Sequence, residues 1–322
     1  MVRNVFLFAS FAFFLSCNAK NDDDIVPLEP PPEGEGFQLV IEGEAPPYSE
    51  VWLCSVYPIP IEELSPVNRV EYQQNDGMHH MTLSTTGIGV EKTIADGIYD
   101  CAELYGDSSI MNDQLMFFGA QGTAEETLML PKGVVANLIP GLDILHEIHY
   151  VNPTDKTVKL YSRVNAWTIP LNEVEEAIWG GQVRDEQIEI PPNSEHTEWT
   201  RCVMNEDVEV LFLASHSHAL GKSFKVGIFD GVLEQEYPSS EVFYENTDWH
   251  TPLITQYDPP LIVPAGTGFE YSCTWKNNSD KTIPYGLDAS DEMCNLAIVH
   301  TPYSTSALCE VVETSDGVLY KP

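Results

Sequence analysis

Positive charge is what this chain lacks. Its 322 residues carry 15 lysines and arginines against 50 aspartates and glutamates, a formal net charge of −35 at pH 7. A surface of that sign repels nucleic-acid phosphate and anionic lipid headgroups, which excludes both as partners. None of the seven cysteines falls in a C-x-x-C pair, which argues against a thiolate zinc site. No Ser-His-Asp or Cys-His arrangement stands out, and no tandem short repeat is visible. Stretches with a 3.6-residue hydrophobic period are scarce; "LNEVEEAIWGG" (171–181) is the best candidate, read as one connecting helix. The apolar fraction is nevertheless 43%, normal for a globular protein, so wholesale disorder is excluded.

One long apolar run is present, at the N-terminus. "MVRN" gives a short basic start, and "VFLFASFAFFL" follows, too short to span a bilayer comfortably. It ends at "LSC", where a small residue precedes Cys17 as in a bacterial lipoprotein cleavage box, although Phe14 departs from the usual first position. Residues 1–17 are therefore expected to direct export, with Cys17 lipidated and the protein held to a membrane in the periplasm or on the cell surface. Residues 18–36, including "NDDDIVPLEPPPEGEG", read as an acidic, Pro- and Gly-rich tether that cannot bury a core. Setting Cys17 aside leaves six cysteines (Cys54, Cys101, Cys202, Cys273, Cys294 and Cys309), an even number that suggests disulfides in an exported chain.

The rest has the texture of short strands broken by turn residues. "FQLVIEG", "SEVWLCSVY", "LDILHEIHYV" and "KTVKLYSRVNAWTI" come first; "VEVLFLASHSH", "SFKVGIFDG", "LIVPAG" and "FEYSCTW" come later. The "DG" at Asp230–Gly231 is a hairpin signal. The expected fold is all-β, two sandwiches with a boundary near residue 180.

The histidines carry the chemistry. In "ASHSHALGK", His216 and His218 are spaced to face one side of a strand and chelate one ion. His79 and His80, in "GMHHMTL", are adjacent, so a regular strand would point them to opposite faces. They can share an ion only at a bulge, a strand end or a loop, and otherwise read equally well as surface imidazoles. The strand period also sends His146 and His149 to opposite faces, one available as a ligand and the other structural. His196, His250 and His300 have no such company. Met293, in "DEMCNL", would ordinarily be a core residue.

Taken together, "HHM", "HY" before "NP", "HSHALGK" and "DEMCNL" resemble, in order and over roughly residues 45 to 310, the copper type II ascorbate-dependent monooxygenases. That family includes the peptidylglycine α-hydroxylating and dopamine β-hydroxylating enzymes. The resemblance implies two tandem jelly-roll domains, at 37–180 and 181–316 with a tail at 317–322, each carrying one copper. His79, His80 and His149 would hold an electron-storing copper, and His216, His218 and Met293 the copper that activates O2. A thioether favours Cu(I), whereas imidazole suits both oxidation states. The implied reaction hydroxylates a C–H of a small organic substrate with O2, using a one-electron reductant such as ascorbate. The resemblance also implies the pairs Cys273–Cys294, Cys202–Cys309 and Cys54–Cys101. Asn295 is implied at the substrate pocket. Ala214 and Ala297 stand where the peptide-processing members place an arginine and a tyrosine on the substrate carboxylate, so a C-terminal glycine peptide fits poorly. The alternative is a copper-binding or electron-transfer lipoprotein without catalysis.

Overall fold

The computed structural model describes residues 26–86, 94–105, 114–286 and 290–319; the expected signal and Cys17 lie outside them. Among the described residues, nearly all of the regular secondary structure is strand. Its first part holds β1 (Gly36–Ala45), β2 (Glu50–Pro58), β3 (Ser65–Gln74), β4 (Met78–Thr86), β5 (Gly97–Asp100) and the short helix α1 (Cys101–Tyr105). There follow β6 (Gln114–Gln121), β7 (Glu125–Met129), β8 (Val134–Leu138), β9 (Asp143–Val151), β10 (Val158–Thr168) and β11 (Glu176–Ala177). These strands make two sheets. One has the order β1-β10-β3-β8-β11, with β7 also on β3, and the other the order β5-β2-β9-β4-β6.

The second part holds β12 (Trp179–Arg184), β13 (Glu189–Ile190), β14 (Ser194–Met204), β15 (Val208–His216), β16 (Gly221–Phe229) and β17 (Val242–Asn246). It continues with β18 (Ile254–Val263), β19 (Gly268–Asn277), β20 (Ile283–Pro284), β21 (Asn295–Thr301), β22 (Cys309–Thr314) and β23 (Gly317–Val318). Here the sheets run β12-β21-β15-β18 and β17-β16-β19-β14-β22-β23, with β13-β20 as a small pair. The change of sheet partners falls at Ile178: β11 pairs with β8, whereas β12 pairs with β21.

Alternation explains the layering. In β1, Leu39 and Ile41 are buried, and Val40 between them is 37% exposed. Leu39 and Ile41 pack with Leu160, Val164, Met81 and Ile148 in one core. A separate core gathers Val210, Leu213, Leu296, Phe224, Tyr271 and Trp275. Three disulfides brace the strands, Cys54–Cys101, Cys202–Cys309 and Cys273–Cys294, and these are the pairs expected from the resemblance.

Three local expectations change. The segment 171–181 is not a helix: a single 3-10 turn, Leu171–Glu173, gives way to β11 and β12. Trp179 pairs across from His300 and Ile178 N–H bonds the Val135 carbonyl, so tertiary pairing overrides the segment's helical period. Asp230–Gly231 does not close a two-residue hairpin. β16 returns as β17 only after residues 230–241, because the fully buried Arg201 donates to the Gln235 carbonyl and pairs with Glu270 and Glu313. Those carboxylates in turn accept the backbone N–H groups of Ser239 and Glu234. The end of the expected tether is also fastened: Gln73 bonds Leu28 N–H and the Val26 carbonyl, Asn165 bonds the Glu29 carbonyl, and Pro31 is buried.

Candidate metal centre

β4 solves the problem posed by two adjacent histidines. Its pairing with β9 slips by one residue between Met78 and His80, a bulge that turns His79 to the same side as its neighbour. His80 sits directly across from His149 of β9. The Nδ1 atoms converge: His80 Nδ1 is 3.0 Å from His79 Nδ1, which is 3.3 Å from His149 Nδ1. These three donors form a group compact enough to hold one metal ion.

The far side of two of the rings is held by carboxylates. His80 Nε2 lies 2.6 Å from Glu147 Oε1, and His149 Nε2 lies 2.7 Å from Glu50 Oε1. A carboxylate accepts only, so both rings carry their proton on Nε2 and present a lone pair at Nδ1. His79 Nδ1 can then donate to just one of its two neighbours. A cation among the three nitrogens satisfies all of them, so the donor set fits a metal. Trp52, cross-strand from His149, stacks on that ring with centroids 5.5 Å apart. The Cys54–Cys101 bridge holds α1 in place, and α1 delivers the Tyr105 hydroxyl to Glu147 Oε2 at 2.7 Å.

The second set forms where β15 runs out. A bulge in β15 between Val210 and Phe212 resets the alternation, so that Leu213 faces the core and His216 the opposite side. His216 ends the strand and His218 follows two residues later, with ring centroids 5.2 Å apart. His216 Nδ1 donates to the Gln121 side-chain carbonyl at 2.7 Å, and His218 Nδ1 donates to the Asp291 backbone carbonyl at 3.0 Å. Both rings therefore present Nε2. The Glu292 carboxylate, wholly buried, ties His218 to the methionine: one oxygen accepts His218 N–H at 3.0 Å, Trp275 Nε1–H at 3.0 Å and Met293 N–H at 3.4 Å. Its other oxygen accepts Leu220 N–H at 2.6 Å. Met293 is buried, and its sulfur accepts from Asn295 Nδ2 at 3.4 Å, while Asn295 Oδ1 is buried without a partner. Asn295 lies across from His216, and Ala214 across from Ala297.

The two sets are not remote. The His79 ring lies 5.4 Å from His218 and 6.4 Å from His216, and the His80 ring 6.1 Å from His216. Five imidazoles from the two parts of the chain thus face one another. Gln121 sits in this junction: cross-strand from His80, it accepts from His216 and donates to the Trp249 carbonyl at 2.6 Å. Gly122, at φ +71°, allows the close approach, since a Cβ there would collide with the His250 carbonyl. Glu50, Glu147, Gln121 and Glu292 were missed by sequence reasoning. The one signal for Glu147 was its place next to His146 in "HEIH".

Electrostatics keep the cluster ready for a cation. Burial, aided by the neighbouring imidazoles, holds His79 and His216 well below the ordinary histidine range and His218 at about 4. Burial also lowers His149, against the pull of Glu50. Burial alone would raise Glu147, but its hydrogen bonds with His80 and Tyr105 and its electrostatic attraction to the His80 imidazole outweigh that and bring it to about 2. Burial raises Glu292 to about 7 against its backbone donors.

His146 points away from His149, as the strand period requires, and bridges the Tyr57 and Ser162 hydroxyls at 3.1 Å each. Complete burial lowers it to about 3. Its folded value lies below the unfolded 6.5, so the unfolded chain binds more protons between those limits. The stability it contributes is complete above pH 6.5 and is lost as pH falls, about 2 kcal/mol by pH 5. Metal-free protein should therefore unfold at lower urea at pH 5 than at pH 7, and His146→Asn should lose less over the same interval. An equal loss in the variant would show that His146 takes up a proton as readily in the folded protein as in the unfolded chain. Of the remaining histidines, His196 pairs with Glu198, His250 lies beside Thr251, and His300 donates to the Ala307 carbonyl.

Three imidazoles form a compact set facing a His-x-His pair, and the Met293 thioether lies beside Asn295, which is across from His216. Imidazole and thioether are donors that suit copper among the transition metals. Residues 178–319 match the family profile "Copper type II ascorbate-dependent monooxygenase, C-terminal domain". No curated protein matches the chain. Among solved structures, the glycosylasparaginase PNGase F from Flavobacterium meningosepticum is 8% identical, covering 83% of this chain and 98% of its own, at a TM-score of 0.31. The structure of infectious bursal disease virus Gx strain is 10% identical, covering 89% of this chain and 76% of its own, at a TM-score of 0.18. At those scores neither likeness bears on fold or function.

Proposed function

We propose that this chain is an exported, copper-dependent monooxygenase that hydroxylates a C–H of a small organic substrate with O2 and a one-electron reductant such as ascorbate. The observation that carries this reading is the pairing of a three-nitrogen set with a His-x-His and methionine set, the latter inside the segment matching the family profile. His79, His80 and His149 would hold one copper as the electron store. His216, His218 and Met293 would hold the other, where O2 is activated. Bound copper supplies one-electron chemistry with dioxygen, and two such ions supply the two electrons the reaction needs.

The protein's own groups orient and insulate. Burial disfavours the charged form of His79, His149, His216 and His218, which leaves their lone pairs free to donate, and Glu292 fixes the His218 backbone relative to that of Met293. The Ala214–Ala297 pair leaves a small, uncharged surface beside His216, suited to a compact substrate rather than a peptide carboxylate. Asn295 Oδ1, buried and unpartnered, is a candidate acceptor for a substrate donor. We further place the two sets in tandem jelly-roll domains meeting near residue 180. Residues 1–17 act as the export signal and Cys17 as the lipid anchor, at the periplasm or the cell surface.

The same two alanines favour a second reading, a copper-binding or electron-transfer lipoprotein that does not hydroxylate. Oxygen uptake separates the two. Copper-loaded protein with ascorbate should consume O2 in proportion to added phenethylamines or other small C–H substrates, with hydroxylated product formed in step. Ascorbate oxidation that no substrate stimulates would favour the electron carrier.

A further inference from the structure

The two centres differ most in what lies behind their rings. Behind the three-histidine set stand two carboxylates, Glu147 on His80 at 2.6 Å and Glu50 on His149 at 2.7 Å. Behind the second set the ring partners among the described residues are neutral: the Gln121 amide for His216 and the Asp291 backbone carbonyl for His218. An imidazole whose N–H is held by a carboxylate becomes a more basic ligand, with partial imidazolate character. Such a ligand stabilises the more highly charged ion. A neutral carbonyl does this far less, and a thioether works in the opposite direction by favouring Cu(I).

We propose that Glu147 and Glu50 are positioning residues that give the three-histidine centre the lower reduction potential of the two. Resting on the two-centre reading above, this sets the direction of electron flow: Cu(I) at the three histidines is the donor, becoming Cu(II), and Cu(II) at the methionine centre is the acceptor, becoming Cu(I). One electron leaves the first and enters the second, and no atom is transferred. The two carboxylates are not equal. The Glu147 side chain is 8% exposed and clamped on its other oxygen by Tyr105, which α1 and the Cys54–Cys101 bridge hold in place. The Glu50 side chain is 49% exposed, so water screens its charge. Glu147 is the stronger tuning group.

The test uses the full-length chain with His216→Ala and His218→Ala, so that copper occupies only the three-histidine centre. Its potential is read by redox titration of the Cu(II) electron paramagnetic resonance signal. Glu147→Gln keeps the shape and removes the charge. It should weaken the preference for Cu(II) over Cu(I) about tenfold or more, a rise of about 59 mV for a one-electron couple. Glu50→Gln should give a smaller rise of the same sign, and it keeps the proposal testable should the buried Glu147 variant fail to fold. In His79→Ala protein, copper at the methionine centre should show a higher potential than the three-histidine centre, and Glu147→Gln should shift it less. Copper bound normally at the three histidines, with a potential unmoved by either substitution, would overturn this inference alone. A parent protein that takes up no copper there would overturn the two-centre reading and this inference with it.

Discussion

His79→Ala protein should bind one copper per chain where the wild type binds two, and His216→Ala should lose the other. The reason is geometric. His79 is the middle member of its set, with Nδ1 atoms of His80 and His149 at 3.0 and 3.3 Å on either side. Removing it leaves two nitrogens on neighbouring strands with no third donor between them. His216 is one of only two imidazoles in the second set, so its loss leaves His218 and a thioether. The survivor in each case should keep its own signature, nitrogen-only in His216→Ala and sulfur-containing in His79→Ala. The rings of the two sets lie within 5.4 to 6.4 Å, so some coupling between the ions is expected in the wild type. Metal analysis of reconstituted, desalted protein checks the count. Complete loss of copper in both single variants would mean one shared site instead of two.

Met293→His should retain two coppers yet lose most substrate-dependent oxygen uptake, by at least about tenfold, because imidazole still binds copper but no longer favours Cu(I) as the thioether does. The position is buried and its N–H is already held by Glu292, so the new ring costs some packing, on the order of 1–3 kcal/mol. Were Met293 only a core residue, the variant would lose stability to that extent while the folded fraction kept its oxygen chemistry. Thermal unfolding and oxygen consumption, measured on the same preparation, separate the two outcomes.

What could be read from sequence was the local periodicity and the residue types. Two-residue alternation gave the strands around "FQLVIEG" and "LDILHEIHYV" and sent His146 and His149 to opposite faces, as found. The need for a bulge, a strand end or a loop at His79–His80 also followed from alternation, and the structure supplies the bulge, a slip between Met78 and His80. The cysteine pairs rested on family resemblance, and they are the bridges in the structure. Long-range pairing was out of reach. The run "LNEVEEAIWGG" has a helical period, but its edges are claimed by β8 and β21. The Asp230–Gly231 turn is overruled by Arg201 and two carboxylates from strands far along the chain. The site's outer groups were invisible for the same reason. Glu50, Gln121 and Glu292 lie 74 to 99 residues from the histidines whose groups they bond, and nothing in their neighbourhoods marks them in a chain so rich in acid. The close facing of the two histidine sets depends on the docking of Trp249 and His250 onto Gln121 and Gly122, which no local pattern encodes.

The most direct test of two unlike copper centres, one of them sulfur-ligated, is X-ray absorption at the copper edge of the fully loaded protein reduced to Cu(I). The wild type should show nitrogen scattering with a sulfur shell equivalent to one thioether per two coppers, and Met293→His should show nitrogen alone. A wild-type spectrum without copper–sulfur scattering would contradict the assignment of His216, His218 and Met293 as one centre, and with it the proposal that this protein activates oxygen there.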